Sequence, residues 1–353
     1  MAVRIRLATT PTDLDQIFQV RHRVFVQEKR YFPPTSDGRI VDRFDAFPTT
    51  ANIVAYANGR VVGGVRIVEP SPVGAPADAY FDFRPYLPEK DVRVGSGSML
   101  VVEEEYRHIP RVTFAMLGMM YYWALRKGLT HITGVAAPEA EKLFLGSGYV
   151  PVHPRFLHKE TQLPSLPVVL EISKLNDRFA AFVDRHDIRH FLKSFEREFH
   201  QAGETIITAG DPGSAAYVII EGRVGVSVGP GPAIQAFTRD DGPPSSRGFQ
   251  SSRNGPPSSR GADDPPRSRR SLVPIAVREM GPGEVFGELS LITANPRSAN
   301  VVALTDVDLM VLERDAFHQQ VAENPQVALN LLSVLGKRLT TVTDRLQDIP
   351  DDY

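Results

Sequence analysis

The chain has 353 residues, 40 Lys and Arg against 42 Asp and Glu, a formal net charge of -2, and no cysteine. A charge this close to zero gives no support for nucleic-acid binding through bulk positive charge, and the lack of cysteine excludes disulfides, thiolate metal sites and a cysteine-bound acyl intermediate. No apolar run is long enough to cross a bilayer and the N-terminus lacks the apolar core of a secretory signal, so we expect a cytoplasmic protein of two domains.

Segments of the strand and helix types alternate along residues 1–175, which predicts a mixed α/β domain. A strand over RIRLAT precedes a helical stretch from Thr12 to about Arg30, and the dipeptide Asn58-Gly59 is typical of a type I′ hairpin. VGSGSMLVVEE predicts a further strand. VTFAMLGMMYYWALRKG predicts a buried helix that stops at its glycine.

The second domain, expected over residues 176–353, begins near Lys174 to Asp177 with one or two helices and continues with short strands separated by glycines. This pattern predicts a β jelly roll with flanking helices, so the whole chain is expected to be a two-domain α+β protein. The strands are interrupted at about residues 231–272, where GPPSSRG occurs twice and almost nothing is apolar. That composition predicts a disordered insertion within a hairpin, which acts as a passive tether.

Residues 286–301, FGELSLITANPRSANV, place Glu288 and Arg297 at the two ends of a short loop of small and apolar residues. The planar fork of Arg297 can hold two phosphate oxygens, and Glu288 can accept a hydrogen bond from a ribose hydroxyl. One helical turn over residues 288–291 would point free amides at an anion, and Gly287 permits close backbone approach. Together these features fit a cyclic nucleotide.

Residues from about 191 to 346 resemble the cyclic-nucleotide-binding domain family, through FHQAGETIITAGDPGSAAYVIIEGRVGV and FGELSLITANPRSA. The resemblance implies that Glu288 holds the ribose, that Arg297 holds the phosphate, and that the backbone amides of Ser290 and Ser298 complete the anion site. It also implies cAMP as the ligand, because serine follows the arginine where threonine more often accompanies cGMP. Cyclic GMP is the alternative.

Apolar residues recur four and three apart along residues 328–346, which predicts a helix that either joins a homodimer or packs on its own barrel. In the family that the segment resembles, this helix also covers the base, and Thr341 and Thr343 lie where such a contact would arise. Transcription factors of the catabolite-activator type carry a helix-turn-helix after this point. The chain ends at Tyr353 without one, so we expect no DNA binding.

Polar residues of the N-terminal half form three short patterns. They are the R-x-x-x-F of Arg21 and Phe25, which lie on one face of a helix, the D-x-x-D of Asp42 and Asp45, and the V-G-x-x-R that ends at Arg66. Each pattern alone is typical of a solvated surface. Their order and spacing together resemble the acyl-homoserine-lactone synthases and the related N-acyl amino acid synthases, a branch of the GNAT acyltransferase fold.

The likeness runs from about Gln16 to Leu170 and implies a GNAT-fold acyltransferase. The E-x-S-R-F signature of lactone synthases has no counterpart in GSGSMLVV, so homoserine lactone is not the expected product. YRHIPRVTF also lacks the glycine-rich pyrophosphate loop of acetyl-CoA enzymes. An acyl-carrier protein is therefore expected as the donor beside acyl-CoA.

The GNAT resemblance implies a direct transfer of the acyl group from a thioester to an amine such as an amino acid. A backbone amide near residues 100–102 would polarise the carbonyl. Arg21 and Arg66, steadied by Asp42 and Asp45, would bind the acceptor's carboxylate or orient the site. Glu103 is the candidate base, although a solvated acid at the end of a strand explains it equally well.

Two other functions stay open for the N-terminal domain. It can have lost its chemistry and serve as a ligand-responsive binding module, or it can acetylate lysines of a protein partner. His186 and His190 lie four apart on a predicted helix, a spacing that suits a metal, but HDIRH has no glutamate between them and no evident third ligand. We therefore expect no metal site.

Overall fold

The computed structural model describes residues 2–69, 74–174, 196–229, 275–293 and 295–323, with isolated positions at 234, 237, 325, 328, 329 and 332. Several predictions from the sequence fall outside these residues and stay predictions: the domain boundary at 175/176, the histidine pair, most of the insertion at 231–272, Thr343 and most of the C-terminal helix. None of the described helices is both long enough and apolar enough to cross a membrane.

The N-terminal half contains eight strands and three α-helices in the ranges described. The strands are β1 Val3–Leu7, β2 Thr50–Ala57, β3 Arg60–Val68, β4 Val94–Val102, β5 His131–Ala136, β6 Val150–Pro151, β7 Phe156–Leu157 and β8 Pro164–Glu171. The helices are α1 Pro11–His22, α2 Pro110–Arg126 and α3 Glu141–Gly146.

The described C-terminal residues add eight strands and two α-helices. The strands are β9 Glu196–His200, β10 Thr205–Ile207, β11 Ala215–Glu221, β12 Val224–Val228, β13 Ile275–Met280, β14 Val285–Phe286, β15 Asn300–Ala303 and β16 Val307–Glu313. The helices are α4 Leu289–Ile292 and α5 Arg314–Glu323.

Local sequence signals explain where several of these elements begin and end. The side chain of Thr10 accepts from the amide of Asp13, whose carboxylate accepts from the amide of Thr10, and this capping box starts α1. Asn58 and Gly59 both have positive φ, 51° and 75°, as a type I′ turn requires, so the predicted hairpin of β2 and β3 is confirmed.

One continuous sheet runs through both halves of the described chain, in the order β14-β11-β16-β9-β1-β2-β3-β4-β5-β8-β6. Strand β1 pairs antiparallel with β2 on one side and with β9 on the other. Within the N-terminal half, α1 and α2 pack on opposite faces: Val54 belongs to the cluster under α1, and its neighbours Ile53 and Ala55 to the cluster under α2.

The C-terminal half is a sandwich of two sheets. A second sheet, β10-β15-β12-β13, packs on the β14-β11-β16 end of the large sheet. Side chains from both sheets form one core, among them Tyr217, Phe286, Val301 and Leu309. The observed strands and helices fit the predicted α+β class.

Candidate active site and nucleotide cavity

A cavity of about 530 Å³ opens where β4 and β5 part. Parallel pairing joins Val94–Ser96 to His131–Thr133 and stops there, although β4 continues to Val102. Beyond that point, the register between β3 and β4 shifts and Met99 has a φ of 54°, which marks a β-bulge. The bulge turns β4 at the cavity wall, and Gly97 lines the opening.

Most of the cavity wall is apolar, and polar side chains belong to a minority, nine of its 26 lining residues. The apolar side chains include those of Phe25, Phe32, Val65, Met99, Leu100, Met120, Phe144 and Leu163. The polar side chains are those of Tyr31, Asp42, Arg43, Arg66, Tyr80, Ser98, His158, Thr161 and Ser165. A long apolar wall with few polar groups is typical of a small-molecule site.

Four charged side chains of the predicted motifs form a buried chain of alternating sign. Arg21 Nη1 donates to Asp45 Oδ2 at 2.9 Å, and Arg66 Nη1 lies 3.0 Å from the same oxygen. The guanidinium of Arg66 also donates to both oxygens of Asp42, at 2.6 and 2.7 Å. The structure therefore brings together the four residues that the sequence singled out.

The four residues do not share the same exposure. The side chains of Arg21, Arg66 and Asp45 are at most 1% exposed, whereas Asp42 is 33% exposed. Of the four, Asp42 and Arg66 line the cavity. Burial alone would raise the pKa of Asp42, but Arg66 outweighs it and holds that pKa below the usual value.

Phe25 reaches the cavity because the first helix changes its winding. The helix predicted to run from Thr12 to about Arg30 is α-helical only to His22, and residues 23–28 form a π-helical segment. That segment, RVFVQE, contains two β-branched residues and an aromatic, which have low α-helix propensity because their side chains lose rotamer freedom against the preceding turn. The wider turn leaves Arg21 buried under the sheet and places Phe25 in the cavity wall, where its ring packs on those of Tyr31 and Phe32.

Glu103 does not line the cavity described here. Its carboxylate accepts from Arg23, at 2.8 and 2.6 Å, and from Arg60, at 2.5 Å. Both carboxylate oxygens of Glu103 thus already have guanidinium partners. These contacts agree with the alternative of an acid at the end of a strand, and the role of Glu103 as a base stays a prediction.

His158 belongs to no motif of the sequence, and the structure places it in the cavity wall. Its Nδ1 accepts from the amides of Glu160 and Thr161, both at 3.3 Å, so the proton of the neutral ring lies on Nε2. The ring packs 4.1 Å from that of Tyr80, whose hydroxyl donates to Glu160. Burial lowers the pKa of His158. His158 lies in the loop between β7 and β8, far along the chain from the three N-terminal motifs, so no sequence spacing indicated that it would reach the cavity.

A second cavity, of about 350 Å³, lies in the C-terminal sandwich around α4. Arg297 Nη1 donates to Ser290 Oγ at 2.7 Å and to the carbonyl of Gly287 at 3.2 Å. The guanidinium also lies over the ring of Tyr217, 5.9 Å from its centroid. None of the described carboxylates forms an ion pair with Arg297, so its charge stays available to an anion.

The other residues predicted for the nucleotide lie around the same cavity. Gly287, Glu288, Ser290 and Ser298 line it, and Glu288 is 9% exposed. Gly287 has a φ of 72°, and a Cβ there would lie 2.7 Å from Arg297 Nη1, so glycine is required. The amide of Ser290 donates to the carbonyl of Gly287 and its hydroxyl accepts from Arg297, so the role of the Ser290 and Ser298 amides at an anion stays a prediction.

Contacts join the nucleotide cavity to the N-terminal half. Arg314, at the start of α5, donates to the carbonyl of Ser290 within the short helix α4 and to the carbonyl of Thr293 directly after it. Its neighbour Glu313 accepts from Arg4 of β1 at 3.2 Å, and Arg4 also donates to Glu198 of β9. Two neighbouring residues, Glu313 and Arg314, thus connect helix α4 of the nucleotide cavity to strand β1 of the N-terminal half.

No group of three or more His, Asp or Glu side chains in the described ranges is arranged to hold a metal ion.

Two family models match the chain. Residues 16–164 match the model described as N-acyl amino acid synthase FeeM, and residues 273–324 match the model of the cyclic nucleotide-binding domain. An N-acyl amino acid synthase domain of the FeeM type is thus fused to a cyclic nucleotide-binding domain, as the sequence patterns predicted, and the first match implies an acyltransferase.

Curated relatives match about two fifths of the chain. A CRP-like cAMP-activated global transcriptional regulator of Mycobacterium tuberculosis is 28% identical over 147 residues, which cover 42% of this chain and 48% of the relative. A cyclic AMP receptor protein of Thermus thermophilus is 29% identical over 148 residues, covering 42% and 50%. The chain therefore spans about half the length of these relatives.

Among solved structures, FeeM, an N-acyl amino acid synthase from uncultured soil microbes, is similar to 52% of this chain. The similarity covers 97% of that chain with a TM-score of 0.43 and 11% identity.

Proposed function

We propose that this protein is an N-acyltransferase regulated by a cyclic nucleotide. It moves an acyl group from a thioester carrier, an acyl-carrier protein or CoA, to an amine such as an amino acid, and its regulatory ligand is cAMP. The observation that carries this proposal is the apolar cavity between the parted strands β4 and β5, with charged residues in its wall. We further infer a GNAT-type fold, which this parting and the bulge at Met99 support.

The shape and chemistry of the cavity fit an acyl thioester. Its apolar wall takes the acyl chain, and its volume of about 530 Å³ suits a chain of several carbons. Strand β4 pairs with β5 only up to Ser96. The backbone amides of β4 beyond that residue have no partner on β5 and are therefore placed to polarise the thioester carbonyl. In this scheme the acceptor's ammonium first loses one proton to water. The neutral amine nitrogen then bonds to the carbonyl carbon, the C–S bond breaks, and a second proton of the nitrogen passes through water to the departing thiolate.

Arg297 supports the assignment of the regulatory ligand. Its guanidinium has neutral oxygens as partners in this structure and faces a cavity of about 350 Å³ that also holds Glu288. An arginine poised this way can exchange those partners for two phosphate oxygens. The apolar residues of the same cavity, among them Phe286 and Met280, offer a surface for the purine.

Regulation requires that the nucleotide bind the active and inactive states with different affinity. The contacts of Arg314 with the α4 turn and of Glu313 with Arg4 support such coupling, because a movement of α4 would be transmitted to β1. We propose that this route carries the signal from the nucleotide to the acyl cavity. Whether binding raises or lowers the rate is an outcome of the assay.

The test is to incubate the purified full chain with acyl-carrier protein or CoA thioesters of several chain lengths and a mixture of amino acids. Reactions are run without nucleotide, with cAMP and with cGMP, and amide products are identified by mass. We expect N-acyl amino acids whose rate of formation depends on cAMP. Cyclic nucleotide binding without any amide product would support a binding module instead, and acetylated lysines in cell extract supplied with acetyl-CoA would support a protein acetyltransferase.

A further inference from the structure

Resting on the proposed function, we propose that Asp42 and Arg43 recognise the acceptor as an α-amino acid zwitterion, with the ammonium on Asp42 and the carboxylate on Arg43. Both side chains line the apolar cavity, and they are adjacent in sequence at the start of a short 3-10 turn, Arg43–Ala46. Arg43 would then distinguish amino acids from amines that lack a carboxylate.

The arginines of the predicted motifs already have aspartate partners. Arg66 donates through Nη1 and Nη2 to Asp42 and through Nε to Ser98 Oγ at 3.0 Å. Arg21 does not line the cavity, and it donates to Asp45 and to Asn52. A substrate carboxylate could bind either cation only by displacing an aspartate, which would leave that aspartate without its charge partner.

Arg43 differs from both in that it is exposed at the cavity. Its guanidinium lies over the ring of Phe44, 4.9 Å from the centroid, and none of the described carboxylates lies within ion-pair distance of it. The same ring lies 5.7 Å from the guanidinium carbon of Arg66. Phe44 thus supports the side chain of Arg43, and the guanidinium nitrogens of Arg43 remain available for a bidentate contact with a carboxylate.

Asp42 retains capacity for a substrate cation. Its Oδ1 accepts from Arg66 and from the amide of Phe44, and its Oδ2 accepts from Arg66. A carboxylate has about four acceptor sites, so one on Oδ2 remains, and the side chain is 33% exposed. The bonds to Arg66 and Phe44 fix the carboxylate in place, which favours a defined position for the bound amine.

The two groups suit an amino acid better than a simple amine or a lysine side chain. In an α-amino acid the ammonium and carboxylate are separated by one carbon, so neighbouring residues of opposite charge can bind both. A lysine in a protein has no carboxylate at this distance from its amine. The inference therefore also favours free amino acids over protein lysines as acceptors.

The test compares wild type, Arg43→Gln and Arg43→Lys with three pairs of acceptors that differ in the carboxylate: leucine and isopentylamine, phenylalanine and phenethylamine, tyrosine and tyramine. We expect the wild type to prefer the amino acid by about 10- to 100-fold in kcat/KM, the range of one charged hydrogen-bonding contact. Arg43→Gln should lose most of that preference through a raised KM with kcat little changed, and Arg43→Lys should keep part of it.

The matched control is Arg84→Gln, because Arg84 is 89% exposed, pairs with Asp82 and does not line the cavity. It should behave as the wild type. Calorimetric titration with the same amino acids gives a second readout, in which Arg43→Gln should bind more weakly. A wild-type preference that survives in Arg43→Gln would overturn the inference. Failure of the wild type to form any amide would instead contradict the proposed function, and this inference with it.

Discussion

Arg66 and Arg297 are both arginines of recognisable motifs that line cavities, and their surroundings differ. Arg66 is fully buried, with Asp42 and Asp45 as charge partners. Arg297 donates to a hydroxyl and a carbonyl, both neutral. The first arginine holds its site together, and the second is ready to receive an anion. A motif arginine is thus assigned to structure or to ligand by its partners, which its position in the sequence does not show.

The same comparison applies within the acyl cavity. Arg43 belongs to none of the family patterns, yet among the cavity's arginines it is the one without a carboxylate partner in the described residues. If charge partners decide the role of each residue, then substitutions that remove a charge should affect different properties. Those at Asp45, Arg297 and Glu313 should change stability, nucleotide affinity and the response of the rate to cAMP, respectively.

The largest effect is expected for Asp45→Asn. The substitution leaves Arg21 and Arg66 with one carboxylate between them in a buried site, and it should lower the free energy of unfolding by about 3–5 kcal/mol. Urea unfolding followed by circular dichroism measures this. The control Asp82→Asn breaks an exposed pair with Arg84 and should leave the free energy of unfolding close to the wild-type value. Equal losses in the two variants would show that the buried chain is not what stabilises the site.

Next in size is the effect of Arg297→Ala on nucleotide binding. Losing two charge-assisted contacts should weaken cAMP about 100-fold, while stability changes little because Arg297 neutralises no carboxylate. Isothermal titration calorimetry gives the affinity. Arg223→Ala removes an exposed arginine of the same domain that pairs with Glu279, and it should bind as the wild type does. Unaltered affinity in Arg297→Ala would remove the nucleotide site from this cavity.

A smaller effect is expected where the two regions meet. Glu313→Gln removes the charge that faces Arg4, and it should reduce the ratio of acylation rates with and without cAMP by about 3- to 10-fold. Nucleotide affinity and the rate without nucleotide should stay near wild type. Glu279→Gln, in an exposed pair away from β1, is the control. A ratio that is unchanged in Glu313→Gln would place the coupling elsewhere.

The smallest effect concerns pH and His158. Burial lowers the pKa of this imidazole, although Glu160 opposes the shift. The unfolded chain therefore binds the proton more readily, so His158 contributes stability above the unfolded pKa of about 6.5 that is lost as pH falls through the folded value. The free energy of unfolding should drop more between pH 7.5 and about 5 in the wild type than in His158→Gln. Parallel curves would contradict this.

Patterns that depend on neighbouring residues were predicted well from the sequence. The Asn58-Gly59 turn, the helix that ends before Gly128 and the strand Val94–Val102 follow from local propensity and turn chemistry. The π-helical segment at residues 23–28 was not predicted, since an i, i+4 pattern does not distinguish it from an α-helix.

The candidate site was predicted in part. The charged motifs were found, but the sequence could not show that Asp42 and Asp45 neutralise Arg66, that Glu103 lies between two arginines, or that Arg43 faces the cavity. These facts depend on contacts between segments far apart in the chain. The pairing of β1 with β9 is likewise a long-range contact that no local pattern indicated.

The measurement that tests the central claim most directly is a cAMP titration of amide formation by wild type and by Arg297→Ala, with acyl-carrier protein thioester and amino acids as substrates. We predict an N-acyl amino acid in both, formed at a rate that changes with cAMP in the wild type and that responds in the variant only at about 100-fold higher cAMP. An absence of amide product, or a wild-type rate that does not respond to cAMP, would contradict the account.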